Sequence, residues 1–221
     1  MMLNCAQMRE IFRDKLAAEE FTIDKTGCKT IEIIGASFLA DEEAIFGTPS
    51  KEYIDAEIKW YESMSTNVND IPYPNGVPGA WKHAANEHGE TNSNYGYLIF
   101  SDTYHYQYEN VLEELKSNPD GRRATMVYNR PSIWVDYNDQ GKNDFICTNA
   151  VSYYVRDNQL HAVVQMRSND VVFGYKNDRA WSQYVLDKLV ADIADENLTA
   201  GQIIWQVQNL HVYERHFEMV K

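Results

Sequence analysis

The sequence predicts a mixed α/β fold, and three observations support this prediction. The chain has 221 residues, of which 44% are hydrophobic and 13% aromatic, which is typical of a globular domain with a sizeable core. Apolar residues recur at helical spacing in four stretches, and five other stretches are β-rich runs. The predicted helices cover residues 5–20, 50–64, 104–116 and 179–192, and the predicted strands cover 29–38, 124–128, 145–155, 160–167 and 203–207. We therefore predict a single α/β domain over residues 1–221.

Charge and cysteine content limit the partners of this domain. The chain has 20 basic and 33 acidic residues and a net charge of −13, so it lacks the basic surface that binds duplex nucleic acid. Its three cysteines have no metal-ligand spacing, and their odd number argues against a disulfide framework. No leader peptide or membrane-spanning run is visible. We expect a soluble protein of a reducing cytoplasm, with no metal, nucleic acid or membrane partner.

The first predicted helix, residues 5–20, has Asn4 as its candidate N-cap and carries no chemistry. More informative is a predicted hairpin formed by residues 145–167, with its turn at 156–159. Cys147 falls inside its first strand, Arg167 ends its second strand, and Asp178 follows a glycine-containing link. A thiol can serve as a nucleophile, a guanidinium can bind an anion, and a carboxylate can recognise polar groups of a substrate by hydrogen bonds. The residues alone favour the simpler interpretation that Cys147 is a small buried hydrophobe.

Glu57 is the second candidate for chemistry. It falls within the apolar stripe of the predicted helix 50–64, and a carboxylate on a stripe that faces the core costs several kcal/mol unless it is paired or functional. The alternative is a glutamate at the edge of the helix that bends out to solvent.

Six short segments in order resemble one enzyme family. RSNDVVFG (residues 167–174), with Cys147 upstream, resembles the signature of the thymidylate synthase superfamily. The similarity is greater to its phage members, the deoxycytidylate hydroxymethylases of the T-even type. The other segments that resemble this family are DKTGCKTIEIIGASF (24–38), NSNYG (92–96), GRR (121–123), CTN (147–149) and LHVY (210–213). Together they cover nearly the whole chain.

The resemblance implies a fold and an assembly. The fold is thymidylate synthase-like (α+β), with one large, twisted, mixed and mostly antiparallel sheet flanked by helices. The family dimerises through this sheet, so we expect a homodimer in which Arg122 and Arg123 reach the phosphate in the partner subunit's site. Arginine suits that role because its planar guanidinium binds phosphate bidentately. The expected setting is the host cell cytoplasm of a bacteriophage infection.

The resemblance also implies the activity, which is hydroxymethylation of dCMP at the pyrimidine 5-position before DNA synthesis. Cys147 adds to the 6-position, helped by nearby arginines that favour the thiolate, and the 5-position then accepts a one-carbon unit from methylenetetrahydrofolate. Glu57 relays protons, through ordered water. Relatives continue past the position of Lys221 into a tail that helps close the site, and we expect turnover to suffer without it.

The resemblance assigns further residues to binding roles, all of them of types that also occur as ordinary surface or packing residues. Lys25, Arg122, Arg123 and Arg167 would bind the phosphate. Ser168 and Asp170 would support the nucleotide, and His211 and Tyr213 would reach the deoxyribose hydroxyl. Trp81, Tyr95 and Asp170 would contact the folate.

Asp178 is the expected reader of the base. It lies eleven residues after Arg167, where thymidylate synthases carry asparagine. A carboxylate accepts from the amino group of cytosine and, by sharing a proton, pairs with the ring nitrogen, whereas the carbonyl of uracil would face an acceptor at a cost of about 1–3 kcal/mol. Asn177 is adjacent, so a register slip of one residue would reverse this prediction.

Three alternatives stay open at this stage. A folate-dependent dCMP methylase, which reduces the methylene where a hydroxymethylase hydrates it, is the nearest one. A thymidylate synthase acting on dUMP is disfavoured by Asp178. An acidic DNA mimic would use the charge of −13 but leaves Cys147, Glu57 and Arg167 unexplained.

Overall fold

The computed structural model describes residues 2–23 and 27–221, so Lys25 lies outside the described residues. No helix within these ranges is long and apolar enough to cross a bilayer. The helices are α1 Cys5–Ala17, α2 Lys51–Ser63, α3 Gly79–Ala84, α4 Tyr95–Phe100, α5 Gln107–Ser117, α6 Ile133–Asp136 and α7 Gly174–Ile193. The strands are β1 Leu3–Asn4, β2 Thr22–Ile23, β3 Lys29–Leu39, β4 Thr125–Val127, β5 Thr148–Arg156, β6 Gln159–Met166, β7 Asn169–Asp170 and β8 Thr199–Tyr213.

The described strands form one mixed sheet of eight strands. Its order is β1-β3-β8-β6-β5-β4, with β2 beside β3 and β7 beside β8. Pairing is antiparallel between β2 and β3, β3 and β8, and β4 and β5, but parallel between β1 and β3, β6 and β8, and β7 and β8. The prediction of a mixed sheet flanked by helices is confirmed, with more parallel pairing than we expected.

The chain divides into two compact units, which we describe separately. Unit 1 contains the described residues of Met1–Pro49 together with Tyr153–Lys221, and unit 2 is Ser50–Ser152. The assignment of residues 1–221 to one catalytic domain stays a prediction.

Unit 1 is built around β8. This strand pairs with β3 on one side and with β6 and β7 on the other, and Trp205, Val207 and Leu210 are buried along it. The predicted strand 203–207 was too short, because the polar residues Gln208 and Asn209 hide the continuation of the strand to Tyr213.

The helix α7 begins earlier in the chain than predicted. The Asp170 side chain accepts hydrogen bonds from the backbone N–H groups of Val172 and Phe173, and the helix then starts at Gly174, a residue of low helix propensity. Asp178, which was predicted to lie just before this helix, therefore lies within it.

The central hairpin has the predicted turn. Asp157 and Asn158 both have positive φ angles, 51° and 58°, as the tight two-residue turns between antiparallel strands require. Cys147, however, lies one residue before β5 and not inside the strand.

In unit 2, α2 begins after Ser50, whose side chain accepts from the backbone N–H of Tyr53. The buried residues of α2 are Ala56, Glu57, Trp60 and Tyr61, and the helix ends at Ser63, one residue before its predicted end. Met64 follows it in the left-handed conformation with φ 57°. α5 starts at Gln107 and not at Tyr104, because His105 and Tyr106 adopt left-handed conformations that interrupt the helix.

A close backbone approach joins α4 to α2 in unit 2. Asn94 donates hydrogen bonds to the carbonyls of Trp60 and Ser65, and its own Oδ1 accepts from Tyr97 N–H to begin α4. A Cβ at Gly96 would lie 1.8 Å from the Tyr61 carbonyl oxygen, a separation that no side chain can occupy. Glycine is therefore required at this position.

We expect Gly96→Ala to lower the free energy of unfolding by about 3 kcal/mol, since the clash is with backbone that cannot move aside. Denaturant unfolding followed by circular dichroism measures the change. Gly79→Ala is the matched control, because a Cβ there meets no heavy atom within 4 Å and its φ is not positive. Equal unfolding midpoints for the two variants would contradict the close approach.

Candidate active site

Glu57 is the centre of a polar cluster in unit 2. Its side chain is buried in α2, and its Oε1 accepts hydrogen bonds from the Tyr53 hydroxyl and, at 2.9 Å, from Trp81 Nε1. Trp81 Nε1 also lies 2.9 Å from the Tyr53 hydroxyl. Burial raises the pKa of Glu57, an effect that the two donors only partly oppose.

The buried Glu57 carboxyl group accepts hydrogen bonds from two neutral donors. Both of these donors bind the same oxygen, Oε1, which leaves the carboxyl group able to carry its proton on Oε2. Sequence analysis missed Tyr53 as a partner of Glu57, although its spacing of four residues on the helix is the signal that would have found it.

Aromatic contacts lead from this cluster toward Cys147. Tyr61 contacts the Trp81 ring at 6.5 Å and stacks on Tyr95 at 5.3 Å, measured between ring centroids. The Tyr95 hydroxyl accepts a hydrogen bond of 3.1 Å from Thr148, the residue after Cys147. Cys147 is half-buried, and its Sγ lies 3.8 Å from the Phe145 carbonyl. The sequence-predicted residues Glu57, Trp81 and Tyr95 are thus connected through contacts to the neighbour of Cys147.

A buried aspartate orders the NSNYG segment. Asp144 accepts hydrogen bonds from the side chains of Thr91 and Ser93 and from the backbone N–H groups of Asn92 and Ser93. These contacts fix the chain just before Tyr95. Sequence analysis missed Asp144, because it belongs to no recognisable segment.

Arg122 and Arg123 lie on the surface of unit 2. The Arg123 side chain is 77% exposed and contacts both carboxylate oxygens of Glu114, at 3.2 and 3.1 Å. This guanidinium lowers the pKa of Glu114.

In unit 1, the RSND segment lies beside β8. The Arg167 carbonyl accepts from Asn209 N–H at 3.1 Å, Ser168 follows it and is half-buried, and Asp170 pairs with His211 across β7 and β8. Oδ2 of Asp170 is buried, accepts no hydrogen bond from any residue that the structure describes, and lies 3.9 Å from His216 Nδ1. This atom is therefore able to accept a hydrogen bond from a ligand.

His211 and Tyr213 lie at the end of β8. His211 is buried, and burial lowers its pKa, although the nearby Asp170 carboxylate partly opposes the shift. A low pKa favours the neutral imidazole, which can both donate and accept a hydrogen bond. The Tyr213 ring lies 4.9 Å from the His211 ring.

Asp178 is held by a residue that sequence analysis did not assign. Asn169 Nδ2 donates to Asp178 Oδ2 at 2.8 Å, and Trp205 Nε1 donates to Asn169 Oδ1 at 3.2 Å. Asn169 was visible within the RSND signature, but only the fold brings it to Asp178.

The predicted site residues thus fall into two groups, one in each unit. Glu57, Trp81, Tyr95 and Cys147 belong to unit 2, as do the two surface arginines. The residues in unit 1 are Arg167, Ser168, Asp170, Asp178, His211 and Tyr213. Lys25 lies outside the described residues, and within those residues no three His, Cys, Asp or Glu side chains are grouped to hold a metal ion.

Comparison with known proteins gives the family. The family model for thymidylate synthase matches residues 6–221. The chain is 54% identical over 209 residues to the deoxycytidylate 5-hydroxymethyltransferases of Enterobacteria phages T4 and T2, covering 93% of this chain and 84% of each relative. It is 30% identical over 185 residues to a thymidylate synthase of Fusobacterium nucleatum, covering 81% of this chain and 64% of that protein. With a family match over almost its full length and these relatives, the chain belongs to the thymidylate synthase family.

Proposed function

We propose that this protein is a deoxycytidylate 5-hydroxymethyltransferase that converts dCMP to 5-hydroxymethyl-dCMP. The observation that supports this most strongly is the 54% identity to phage enzymes of that name over 93% of the chain. The carboxylate at position 178, which is suited to cytosine, agrees with it. The reaction would modify the nucleotide pool in the cytoplasm of an infected host cell.

Cys147 is the proposed nucleophile. Its thiolate adds to the 6-position of the pyrimidine, and the electron pair moves to the 5-position, which becomes an enamine carbon. After the one-carbon unit is attached, the 5-proton is lost and the bond between this unit and tetrahydrofolate breaks, which releases tetrahydrofolate and leaves an exocyclic methylene on the pyrimidine. Water adds to this methylene, and expulsion of Cys147 restores the ring and releases the product.

Methylenetetrahydrofolate is the proposed co-substrate, and it supplies the one-carbon unit. The buried Oδ2 of Asp170 fits this assignment, because it needs a donor that no described residue provides and the folate ring system carries N–H donors. The half-buried Trp81 offers aromatic surface for the same ring system, whereas Tyr95 is buried and stacked on Tyr61. The indole N–H of Trp81 is already directed to Glu57, so Trp81 would bind through its ring face.

Glu57 is the proposed proton relay. A raised pKa brings a carboxyl group closer to the operating pH, at which it can both release and accept a proton. The donors from Tyr53 and Trp81 hold the group in one orientation, which spares the cost of arranging it during the reaction.

Asp178 is the proposed reader of the base, and the remaining candidates bind the rest of the nucleotide. Arg167, Ser168 and Lys25 would hold the phosphate, and His211 with Tyr213 would bind the deoxyribose hydroxyl. In this proposal the active form is a homodimer, in which Arg122 and Arg123 extend to the phosphate in the partner subunit's site. Their exposure in the single chain is consistent with that role.

A dCMP methylase is the second candidate function. It would use the same residues up to the exocyclic methylene, which would then be reduced and not hydrated. The names of the phage relatives favour hydration.

We expect mass spectrometry to detect a hydroxymethyl gain on dCMP, but not on dUMP, after incubation with methylenetetrahydrofolate. Cys147→Ser should abolish the product, because a hydroxyl is a much weaker nucleophile than a thiolate. Cys28→Ser, which alters an exposed cysteine, should keep the activity and serves as the control. A methyl gain on dCMP would replace the proposal with the methylase, and reaction on dUMP would show that Asp178 does not read the base as proposed.

We expect Glu57→Gln to abolish turnover while raising stability at neutral pH. The pKa of Glu57 is raised in the folded state, so between the ordinary glutamate pKa of about 4.3 and the folded value the folded chain holds more protons than the unfolded chain. The free energy of unfolding of the wild type therefore falls as the pH rises through this window. Glutamine does not titrate, so the variant does not show this decrease. The difference in unfolding free energy between variant and wild type should be near zero at about pH 4 and positive at pH 8.

Glu52→Gln, in the same helix but exposed, is the control for this pH series. A variant Glu57→Gln that is less stable than wild type at pH 8 would show that the burial of the Glu57 carboxylate carries no cost.

We expect mixed dimers to recover activity if Arg122 and Arg123 act in the partner subunit's site. Cys147→Ser homodimers and homodimers of the double variant Arg122→Ala/Arg123→Ala should both be nearly inactive. Coexpression of the two should restore about a quarter of wild-type activity, since about half of the dimers are mixed and each has one complete site. No recovery in purified mixed dimers would place these arginines in their own subunit's site or outside any site.

A further inference from the structure

Two buried polar atoms face each other in unit 1 without a hydrogen bond between them. They are Oδ2 of Asp170 and Nδ1 of His216, which lie 3.9 Å apart. Neither atom has a hydrogen-bond partner among residues 2–23 and 27–221. A hydrogen bond between nitrogen and oxygen spans about 2.7–3.2 Å, so a movement of about 1 Å would join the two atoms. Buried polar atoms in native proteins nearly always have a partner, so we expect these two to gain one in the working enzyme.

The Asp170 carboxylate is fixed with this oxygen toward His216. Its other oxygen, Oδ1, accepts hydrogen bonds from the backbone N–H groups of Val172 and Phe173, at 2.9 and 2.6 Å, in the turn that leads into α7. Rotation of the carboxylate would break both of these bonds. A shortening of the 3.9 Å separation must therefore come from the side of His216.

His216 belongs to a short 3₁₀ helix, Glu214–Met219, that follows β8 and is anchored on the rest of unit 1. Phe217 stacks on Phe21 with the ring centroids 5.3 Å apart. The carbonyl of Val220, which is fully buried, accepts from Arg13 Nε at 3.2 Å. These contacts lie on both sides of the peptide that carries the imidazole, and they keep it beside Asp170.

The imidazole of His216 is suited to donate a hydrogen bond at this position. Burial lowers its pKa, the Asp170 carboxylate opposes this shift, and the positive charges of Arg215 and Lys176 add to it. A neutral imidazole has one N–H group, and a bare Nδ1 would leave two acceptors facing each other. The hydrogen is therefore best placed on Nδ1. The Phe173 ring packs edge to face against His216 at 4.9 Å and limits the movement of the imidazole.

We propose that His216 is a positioning residue that orients the Asp170 carboxylate for the folate by donating from Nδ1 to Oδ2. This inference rests on the proposed function, in which Oδ2 of Asp170 accepts from an N–H group of the folate. A carboxylate oxygen has two lone pairs, so Oδ2 can accept from His216 and from the ligand together. Hydrogen bonds in active sites are often long without substrate and shorten in the complex, which is the state in which this pair closes.

The test measures, by calorimetry, the dissociation constant of tetrahydrofolate in the presence of saturating dCMP. His216→Phe keeps a ring against Phe173 but has no N–H, and we expect it to weaken tetrahydrofolate binding about tenfold, which corresponds to about 1.4 kcal/mol. His216→Asn can place an amide N–H where Nδ1 stands, so it should recover most of this loss. Binding of dCMP alone should be unchanged in both variants. Phe217→Leu is the matched control, because Phe217 is the next residue of the same 3₁₀ helix and stacks on Phe21.

A double-mutant cycle tests whether His216 acts through Asp170. Asp170→Asn keeps an oxygen for the backbone N–H groups of Val172 and Phe173 but puts an amide where Oδ2 stands. In that background His216→Phe should change tetrahydrofolate binding by less than about twofold, because the interaction is already lost. Circular dichroism and thermal unfolding establish that each variant is folded.

Three results would overturn the inference. The first is a folded His216→Phe variant that binds tetrahydrofolate as tightly as wild type. The second is an effect of His216→Phe that is equally large in the Asp170→Asn background. The third is an equal loss of binding in Phe217→Leu, which would assign the effect to the packing of the 3₁₀ helix.

The two proposals fail in different ways. If wild type binds tetrahydrofolate but forms no hydroxymethyl product, the proposed function is wrong and the binding constants still test His216. If wild type forms the product and His216→Phe keeps its affinity for tetrahydrofolate, only the role of His216 is wrong. A wild type that binds no tetrahydrofolate overturns both proposals.

Discussion

The pairing of β8 on both of its sides is the constraint on which the Asp178 cluster depends. Trp205 lies opposite Phe38 of β3 and Val164 of β6, and five positions later Leu210 lies opposite Asn169 of β7. A slip of one residue in either pairing would turn the side chains of β8 to the other face of the sheet. Trp205 would then lose both its place in the core and its hydrogen bond to Asn169. The strand register that buries the core residues of β8 is therefore also the one that directs the Asn169 amide toward Asp178.

Buried carboxylates show how the fold separates structural groups from groups suited to chemistry. Removing a carboxylate from water costs several kcal/mol unless hydrogen bonds replace the lost solvation. Asp144 receives donors on both of its oxygens and orders the chain before Tyr95. Glu57 receives the donors of Tyr53 and Trp81 on one oxygen, and its pKa is raised by burial. A carboxyl group that is desolvated but incompletely bonded is the kind that can exchange a proton with a substrate.

Local pattern predicted those parts of the fold that depend on neighbouring residues. The N-cap at Asn4, the helix after Ser50 and the turn at Asp157 and Asn158 are each decided by a few adjacent side chains or by backbone preference. Local sequence pattern failed to predict secondary structure where contacts between distant residues decide it. The polar side chains of Gln208 and Asn209 favour a loop. The strand β8 nevertheless continues through them, because strands on both of its sides pair with it.

The same distinction applies to the candidate site. Glu57 was predictable, because its place on an apolar stripe is a local conflict that signals burial. Asn169 and Asp144 were not, since their partners lie 9 to 53 residues away and no spacing rule connects them. The family signature supplied Arg167, Ser168 and Asp170 as a set, and the structure adds Asn169, which donates a hydrogen bond to Asp178.

Reading a base by hydrogen bonds requires a donor and acceptor pattern that does not rearrange when the wrong base arrives. A carboxyl group alone does not meet this requirement, because its two oxygens are equivalent and a shared proton can move between them. Asn169 donates a hydrogen bond to one of the two oxygens of Asp178, and Trp205 fixes the orientation of that amide. Both residues are buried, so water cannot substitute for either partner. Because one member of this chain of donors belongs to the central strand of unit 1, the position of the Asn169 amide beside Asp178 depends on the pairing of the sheet.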